Sequence, residues 1–445
     1  MRGAGAPIAI GVLCLTGALL DAHPVAVTAC VVAGVFVLAL ACMPRAYILA
    51  TGFAIFALVP IKYLPVPTTA INFSPALIAV VVWAVRRTPG ERRSNPWQAR
   101  FIALCAAWLA VGVLWSRQPS TSAAWLTSFV ILGLLPPILG ARDHESIDRL
   151  RTTWVVVGGI VGAYAAMEGL FLHSNPLFDW AYTTAPGADG LHQVWSVYRV
   201  TSTLGHPLFN ATFFAITAVV ALGLPRRLPK GLSIAVVVVS SLSLLLTASR
   251  GPLVAFVCGV CVLLAFQRRR ARGGGSRATI LLAVGIGLIV AFGFGGASLA
   301  ARADSGEAQR SATARSAAAQ QGVDLVRQSP VVGVGPGLAS TAFNRSAIPD
   351  AHTFENAWLE FAIANGLVGL LLIVCVLVCS VAVAISHDNP AAAAAVVTYA
   401  VSASSFNLLE GNRPAHLLLG GVLALAVSGT RAETPEHREV AAICA

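Results

Sequence analysis

The stretch AHTFENAWLEFAIANGLVGL, from Ala351 to Leu370, sets His352, Glu355, Asn356 and Glu360 at the mouth of a run that then turns wholly apolar. An imidazole titrates near neutral pH and a carboxylate in a dry site is driven toward it. Either His352 or Glu355 could therefore accept a proton from a weak nucleophile such as a hydroxyl. His352, Asn356 and Glu360 recur every four residues, which lines them along one stripe if the helix begins early, with Glu355 beside it. The same residues also suit a plain helix start, with Thr353 as N-cap and Glu355 complementing the helix dipole.

A second kind of chemistry is anion binding. Arg250 lies in the turn Thr247-Ala248-Ser249-Arg250-Gly251-Pro252, and Pro252 suits the first turn of the helix that follows. A guanidinium fork beside a helix N-terminus matches phosphate oxygens; an interfacial arginine reaching lipid headgroups fits the same position. Arg199 precedes a polar segment that passes His206 and enters an apolar run through Pro207, so Arg199 and His206 are candidates for the same cavity. A hydrogen-bonded structural histidine is the other reading of His206.

Glu168 is the clearest acid inside an apolar run, and a charge in hydrocarbon costs roughly 2.5 kcal/mol or more. It must face a polar cavity, pair with an arginine or carry a proton. Glu410 and Arg413 share one short turn and are placed to pair with each other. Cys258 and Cys261 have the C-x-x-C spacing but sit in an apolar helix with no further ligands, so they read as packing residues. The cysteines imply no disulfide framework.

The elements that must position these groups are membrane helices. Of 445 residues 57% are apolar and 11% charged, and the mean hydropathy is +0.77, far from an ordinary soluble domain. The chain reads as one integral membrane domain over 1–445, an all-α polytopic bundle of about 12–14 transmembrane helices. The net charge of +11 does not point to nucleic acid, because the basic residues lie in short loops between apolar runs. Clusters such as Arg86-Arg87, Arg226-Arg227 and Arg268-Arg269-Arg270 orient those loops to the cytoplasm, and alternation then puts both termini there. An uncleaved first span over Pro7–Leu20 is expected rather than a signal peptide.

That orientation leaves Lys62, Arg117, Arg199, Arg250, Arg302, Arg310, Arg315, Arg327, Arg345 and Arg413 outside, where the rule does not account for them. Two long extracytoplasmic loops are expected there, over 173–206 and 298–355, the second carrying part of the active site. Glu307–Gln328 is rich in Ala, Gln and Arg and ends at Ser329-Pro330, which predicts a helix along the outer surface. The glycine-rich turn Val332-Gly333-Val334-Gly335-Pro336-Gly337 follows it.

Ser249-Arg250-Gly251, this glycine-rich turn and the His352–Leu370 stretch together resemble the O-antigen ligase / Wzy polymerase / protein O-oligosaccharyltransferase family. The likeness runs over about Arg199 to Leu370. The resemblance implies a GT-C-like helical fold and an undecaprenyl-diphosphate-linked glycan as donor, with neither metal nor other cofactor. It implies that Arg250 and Arg315 contact the diphosphate and that His352 is the base. In the family an asparagine usually follows that histidine; here Thr353 does, and Asn356 comes three residues later. His352 and Glu355 therefore both stand as catalytic candidates, with Arg250, Arg315, Arg199, His206 and Asn356 as substrate-binding candidates. Fixed arginines stabilise a diphosphate leaving group without a cation. The expected activity is a metal-independent glycosyl transfer, with inversion, from the carrier to an acceptor glycan or lipid at the outer face of the cytoplasmic membrane. A transporter or flippase of lipid-linked saccharides is the alternative. Transporters show internal repeats and midplane polar groups, whereas here no repeat is visible and the polar groups cluster at one face.

Overall fold

The computed structural model describes residues 34–60, 74–86, 96–141, 143–178, 198–223, 227–269, 284–285, 306–345, 355–410 and 415–428. Among the described residues every regular element is helical. In chain order the helices are α1 (Arg45–Leu58), α2 (Pro75–Val85), α3 (Pro96–Leu114), α4 (Pro119–Gly140), α5 (His144–Leu172), α6 (Pro207–Leu222), α7 (Lys230–Leu246), α8 (Arg250–Arg269), α9 (Gly306–Gln328), α10 (Ala339–Arg345), α11 (Ala357–Ser386), α12 (Pro390–Ser402) and α13 (His416–Val427). Four of them, α3, α4, α5 and α11, are long and apolar enough to cross a membrane, and seven more are apolar but shorter. Each of these falls on one of the apolar runs that read as single spans in the sequence, at about 46–60, 71–85, 101–115, 124–139, 152–172, 207–223, 232–248, 252–266, 356–384, 391–406 and 415–428, with 278–297 a further such run. The chain is an all-α polytopic membrane protein. The spans expected over Pro7–Leu20 and, save for 284–285, over 278–297 lie outside the described residues.

The helix starts follow from local chemistry. Pro75, Pro96, Pro119, Pro207 and Pro390 each open a helix, where the missing N–H costs nothing and φ is already set. Ser74, Asp143 and Asn389 cap α2, α5 and α12 by accepting from Leu77 N at 3.2 Å, Ser146 N at 3.1 Å and Ala392 N at 3.3 Å. Every residue of α6 is buried, so this helix, apolar on all sides, is the centre of the bundle. α8 and α12 run antiparallel: Gly251 lies against Ser405 and Gly259 against Thr398 and Ala394. The buried run Ala391–Ala395 allows that close approach.

Two helices are not regular. In α4 the stretch Phe129–Leu134 widens into a π turn just before Pro136 and Pro137, whose absent N–H groups break the ladder. α11, read from the sequence as continuous, breaks at Gly366, where φ is 69° and ψ 177°. The glycine-rich turn fills that break. Val334 N and Gly335 N donate to the Ile363 and Ala364 carbonyls, both at 2.9 Å, and Leu367 N donates to the Pro330 carbonyl at 2.8 Å. Trp108 Nε1 donates to the Asn365 carbonyl at 2.9 Å. The carbonyls freed by the break are thus satisfied by neighbouring chain. Ala357–Asn365 becomes a half-helix seated on a 20-residue span.

At the other end of the bundle Asp143 joins three helices. Its carboxylate pairs with Arg45 Nη1 at 3.2 Å and accepts from Trp83 Nε1 at 3.1 Å. From Asp143 to Glu168, along α5, is roughly 37 Å at 1.5 Å per residue.

Candidate active site

Glu168 begins the last, π-widened turn of α5 and is fully buried. Its carboxylate accepts from Tyr198 Oη at 2.7 Å, Thr201 N at 2.8 Å, Thr201 Oγ1 at 3.3 Å, Ser202 N at 2.9 Å and Asn175 Nδ2 at 3.3 Å. Among the described residues no arginine pairs with it. Among these residues hydrogen bonds, not an ion pair, accommodate this acid.

Between those anchors, Arg199 points the opposite way and is buried. Its Nε donates to the Thr247 carbonyl at 2.9 Å and its Nη2 to Ser249 Oγ at 3.0 Å. It thereby braces the turn that leads into Arg250. Ala248 in that turn has φ +50°, a left-handed value that a non-glycine residue holds only when its surroundings fix it. A Cβ on Gly251 would overlap the Ser405 side chain, which explains the glycine. Arg250 itself is exposed, and among the described residues it makes no hydrogen bond or ion pair.

His206 caps α6, with Nδ1 accepting from Leu208 N at 3.3 Å, and its ring stacks on Phe406 at 4.8 Å. Burial, and secondarily the positive charge of Arg199, push its pKa down to about 4, so the imidazole is neutral at physiological pH.

The stripe expected at the start of α11 requires a helix that begins before Asn356, and the described helix does not. The helix starts at Ala357, and Asn356 rather than Thr353 caps it, accepting from Trp358 N at 3.0 Å and Leu359 N at 3.2 Å. Glu360 is then buried, and neither of its carboxylate oxygens is hydrogen-bonded among the described residues. Asn407 faces it without closing a well-formed bond. Glu355, just before the cap, is partly exposed and forms an ion pair with Arg315 of α9 through both Nε and Nη2. His352, Thr353 and Arg413 lie outside the described residues.

Among the described residues the Glu410 carboxylate accepts from Asn365 Nδ2 at 2.7 Å and Gly337 N at 2.8 Å; the pairing with Arg413 read from the sequence lies outside them. Burial holds this carboxyl well above the usual carboxylate range; the nearby Glu360 adds to the effect, and the two donors oppose it.

One turn brings these parts together, and nothing in the sequence singled it out. Ala403-Ser404-Ser405-Phe406 holds the Arg250 turn through Ser405 and His206 through Phe406. On its other side the Ala403 carbonyl accepts from Ala357 N at 2.8 Å and Ser404 Oγ from Trp358 Nε1 at 3.1 Å. His206, the Arg250 turn and the Asn356-capped start of α11 are therefore neighbours of one turn, with Arg199 joined to it through the Arg250 turn and Glu355 and Arg315 through the α11 cap. The signal that could have found it is its run of small polar residues closing an alanine-rich helix.

Fold and site together define an integral membrane protein with a cationic and carboxylate-bearing cluster at one end of a helical bundle. Residues 234–374 match the family model described as O-antigen ligase, which supports the resemblance to the O-antigen ligase/Wzy family read from the sequence. The matched segment contains Arg250, Arg315, Glu355 and Asn356, and supports a ligase or glycosyltransferase activity of the O-antigen ligase kind in general. Arg199, His206 and the 403–406 turn fall outside it. No curated protein matches the chain.

Proposed function

We propose that the protein transfers a glycan from a polyprenyl diphosphate carrier to an acceptor hydroxyl at the outer face of the cytoplasmic membrane. The observation that carries this reading is Arg250: an exposed guanidinium with no partner among the described residues, at a helix start, on a turn braced by buried Arg199. That is a site built for an anion. The orientation set by the basic loops supports the outer face.

Arg250 binds the carrier's diphosphate and Arg315 is its second cationic contact. As the bond between the anomeric carbon and the phosphate oxygen breaks, negative charge grows on the diphosphate and both guanidinium groups stabilise it. The acceptor oxygen attacks the anomeric carbon from the opposite face, so the product is inverted, and its proton passes to a carboxylate. Glu355 is that base: it directly precedes Asn356, in the order in which the family's base precedes its asparagine. In the free protein Arg315 holds Glu355. The donor's diphosphate, carrying more charge than a carboxylate, draws Arg315 away and frees the base. His206, neutral and stacked on Phe406, sits beside the Arg250 turn across the 403–406 turn.

The test is the mass profile of carrier-linked glycans in cells lacking the protein, complemented with wild type, Arg250→Ala, Glu355→Gln or His352→Ala. Single repeat units accumulating on the outer face of Arg250→Ala and Glu355→Gln cells mark a polymerase, and long carrier-linked chains mark a ligase. Intermediates trapped on the inner face would instead establish a flippase and overturn the reading. Full function in Glu355→Gln with loss in His352→Ala would move the base to His352.

A further inference from the structure

We infer that Glu168 is a positioning residue for the diphosphate site, acting on Arg250 through Arg199, an inference that rests on the function proposed above. Glu168 lies outside the matched family segment and is fully buried.

The argument begins with what a carboxylate can do: it only accepts. Five donor contacts converge on Glu168, and they come from both sides of Arg199 in sequence: Tyr198 before it, Thr201 and Ser202 after it. Ser202, fixed by its N–H to Glu168, has φ +42°, a second left-handed non-glycine residue in the site. Asn175 reinforces the arrangement, donating from Nδ2 to Thr201 Oγ1 at 2.8 Å and to the Ser202 carbonyl at 2.9 Å. The segment 198–202 is thereby clamped to the end of α5 with Arg199 directed at the neighbouring turn.

The second half of the relay is the pair of bonds from Arg199 to the Thr247 carbonyl and Ser249 Oγ, supported by Val200 N to the Leu246 carbonyl at 3.4 Å. They flank Ala248, whose φ of +50° bends the chain so that Arg250 emerges exposed. Arg250 makes no bond of its own among the described residues, so among them its position follows from the turn, which Arg199 braces and Ser405 packs against. Glutamine at position 168 would place an NH2 donor against the Thr201 or Ser202 N–H and release the segment.

The test is a double-mutant cycle between positions 168 and 250 in purified protein reconstituted with polyprenyl-diphosphate-linked glycan. Displacing a group that orients substrate costs on the order of a hundred-fold in rate. Glu168→Gln is expected to lower transfer about ten- to a hundred-fold with a raised KM for the donor and an unchanged KM for the acceptor. In the Arg250→Ala background the same change should cost less than about two-fold, because coupled positions are not additive. Tyr198→Phe, which keeps the acid and removes one donor, should lose a few-fold in wild type and nothing in Arg250→Ala, and serves if Glu168→Gln does not fold. Equal losses in both backgrounds, or a rise in acceptor KM, would make Glu168 a general structural residue and overturn the inference alone. Arg250→Ala transferring at the wild-type rate would overturn the diphosphate reading itself.

Discussion

Replacing Gly366 with alanine should be among the most damaging single-methyl changes in this protein. At φ 69° and ψ 177° the residue occupies a backbone region that is essentially glycine's alone, and an L-residue held there costs about 1–3 kcal/mol. A Cβ would also overlap the Val331 carbonyl, so the glycine-rich turn must withdraw from the break. Withdrawal forfeits the bonds from Val334 N, Gly335 N and Leu367 N, each worth roughly 1 kcal/mol net. Together these give a loss on the order of 4–6 kcal/mol. The perturbation also frees Gly337 from Glu410 and tilts the half-helix whose cap carries Asn356. Thermal unfolding in detergent micelles, with limited proteolysis of the 330–338 turn, would measure it. Gly231→Ala is the control, since a Cβ there meets no atom within 4 Å and should leave stability unchanged or slightly raised. If Gly366→Ala melted and resisted protease like wild type, the account of the helix break would be wrong.

Asp143→Ala should destabilise the protein by about 1–3 kcal/mol, because it removes the carboxylate paired with the mostly buried Arg45 and leaves the Trp83 N–H only its Ser146 acceptor; transfer per folded molecule should not change, the site being at the far end of α5. His206→Asn should flatten the pH dependence of stability between pH 6.5 and 4. In that window the unfolded chain takes up a proton that the folded ring, with its pKa near 4, refuses. Wild-type stability therefore rises with pH up to about 6.5 and is full above it. The partly exposed ring contributes on the order of 1–2 kcal/mol, read as the difference between the two proteins' melting curves across that range. Arg315→Ala should weaken donor binding while removing the restraint on Glu355, so transfer falls at low donor concentration and recovers in part at saturation; equal loss at all concentrations would show that Arg315 does not contact the donor.

The apolar runs gave away the helices, and the prolines and short polar residues before them gave away where they begin, because both depend on neighbours in sequence. The helix over Gly306–Gln328 was legible for the same reason. The break at Gly366 was not, since Ala-Asn-Gly-Leu-Val-Gly is compatible with a continuous span until the turn from 330–337 docks into it. The sequence put the helix cap at Thr353, whereas Asn356 takes that role, because the helix start follows from where Ala357 N finds the Ala403 carbonyl. The 403–406 turn and the burial of Glu410 are likewise products of packing between distant segments. Arg250 stood out from its turn alone, but the reason it is held in place, through Arg199 and Glu168, needed the fold.

The most direct test of the central claim is transfer by the purified protein in proteoliposomes supplied with a polyprenyl-diphosphate-linked glycan and an acceptor glycan or lipid, followed by mass spectrometry of the products. The account predicts glycan-extended acceptor and released polyprenyl diphosphate with wild type, and loss of both by at least about a hundred-fold in Arg250→Ala. Movement of intact carrier-linked glycan between leaflets without cleavage, or Arg250→Ala working at the wild-type rate, would contradict it.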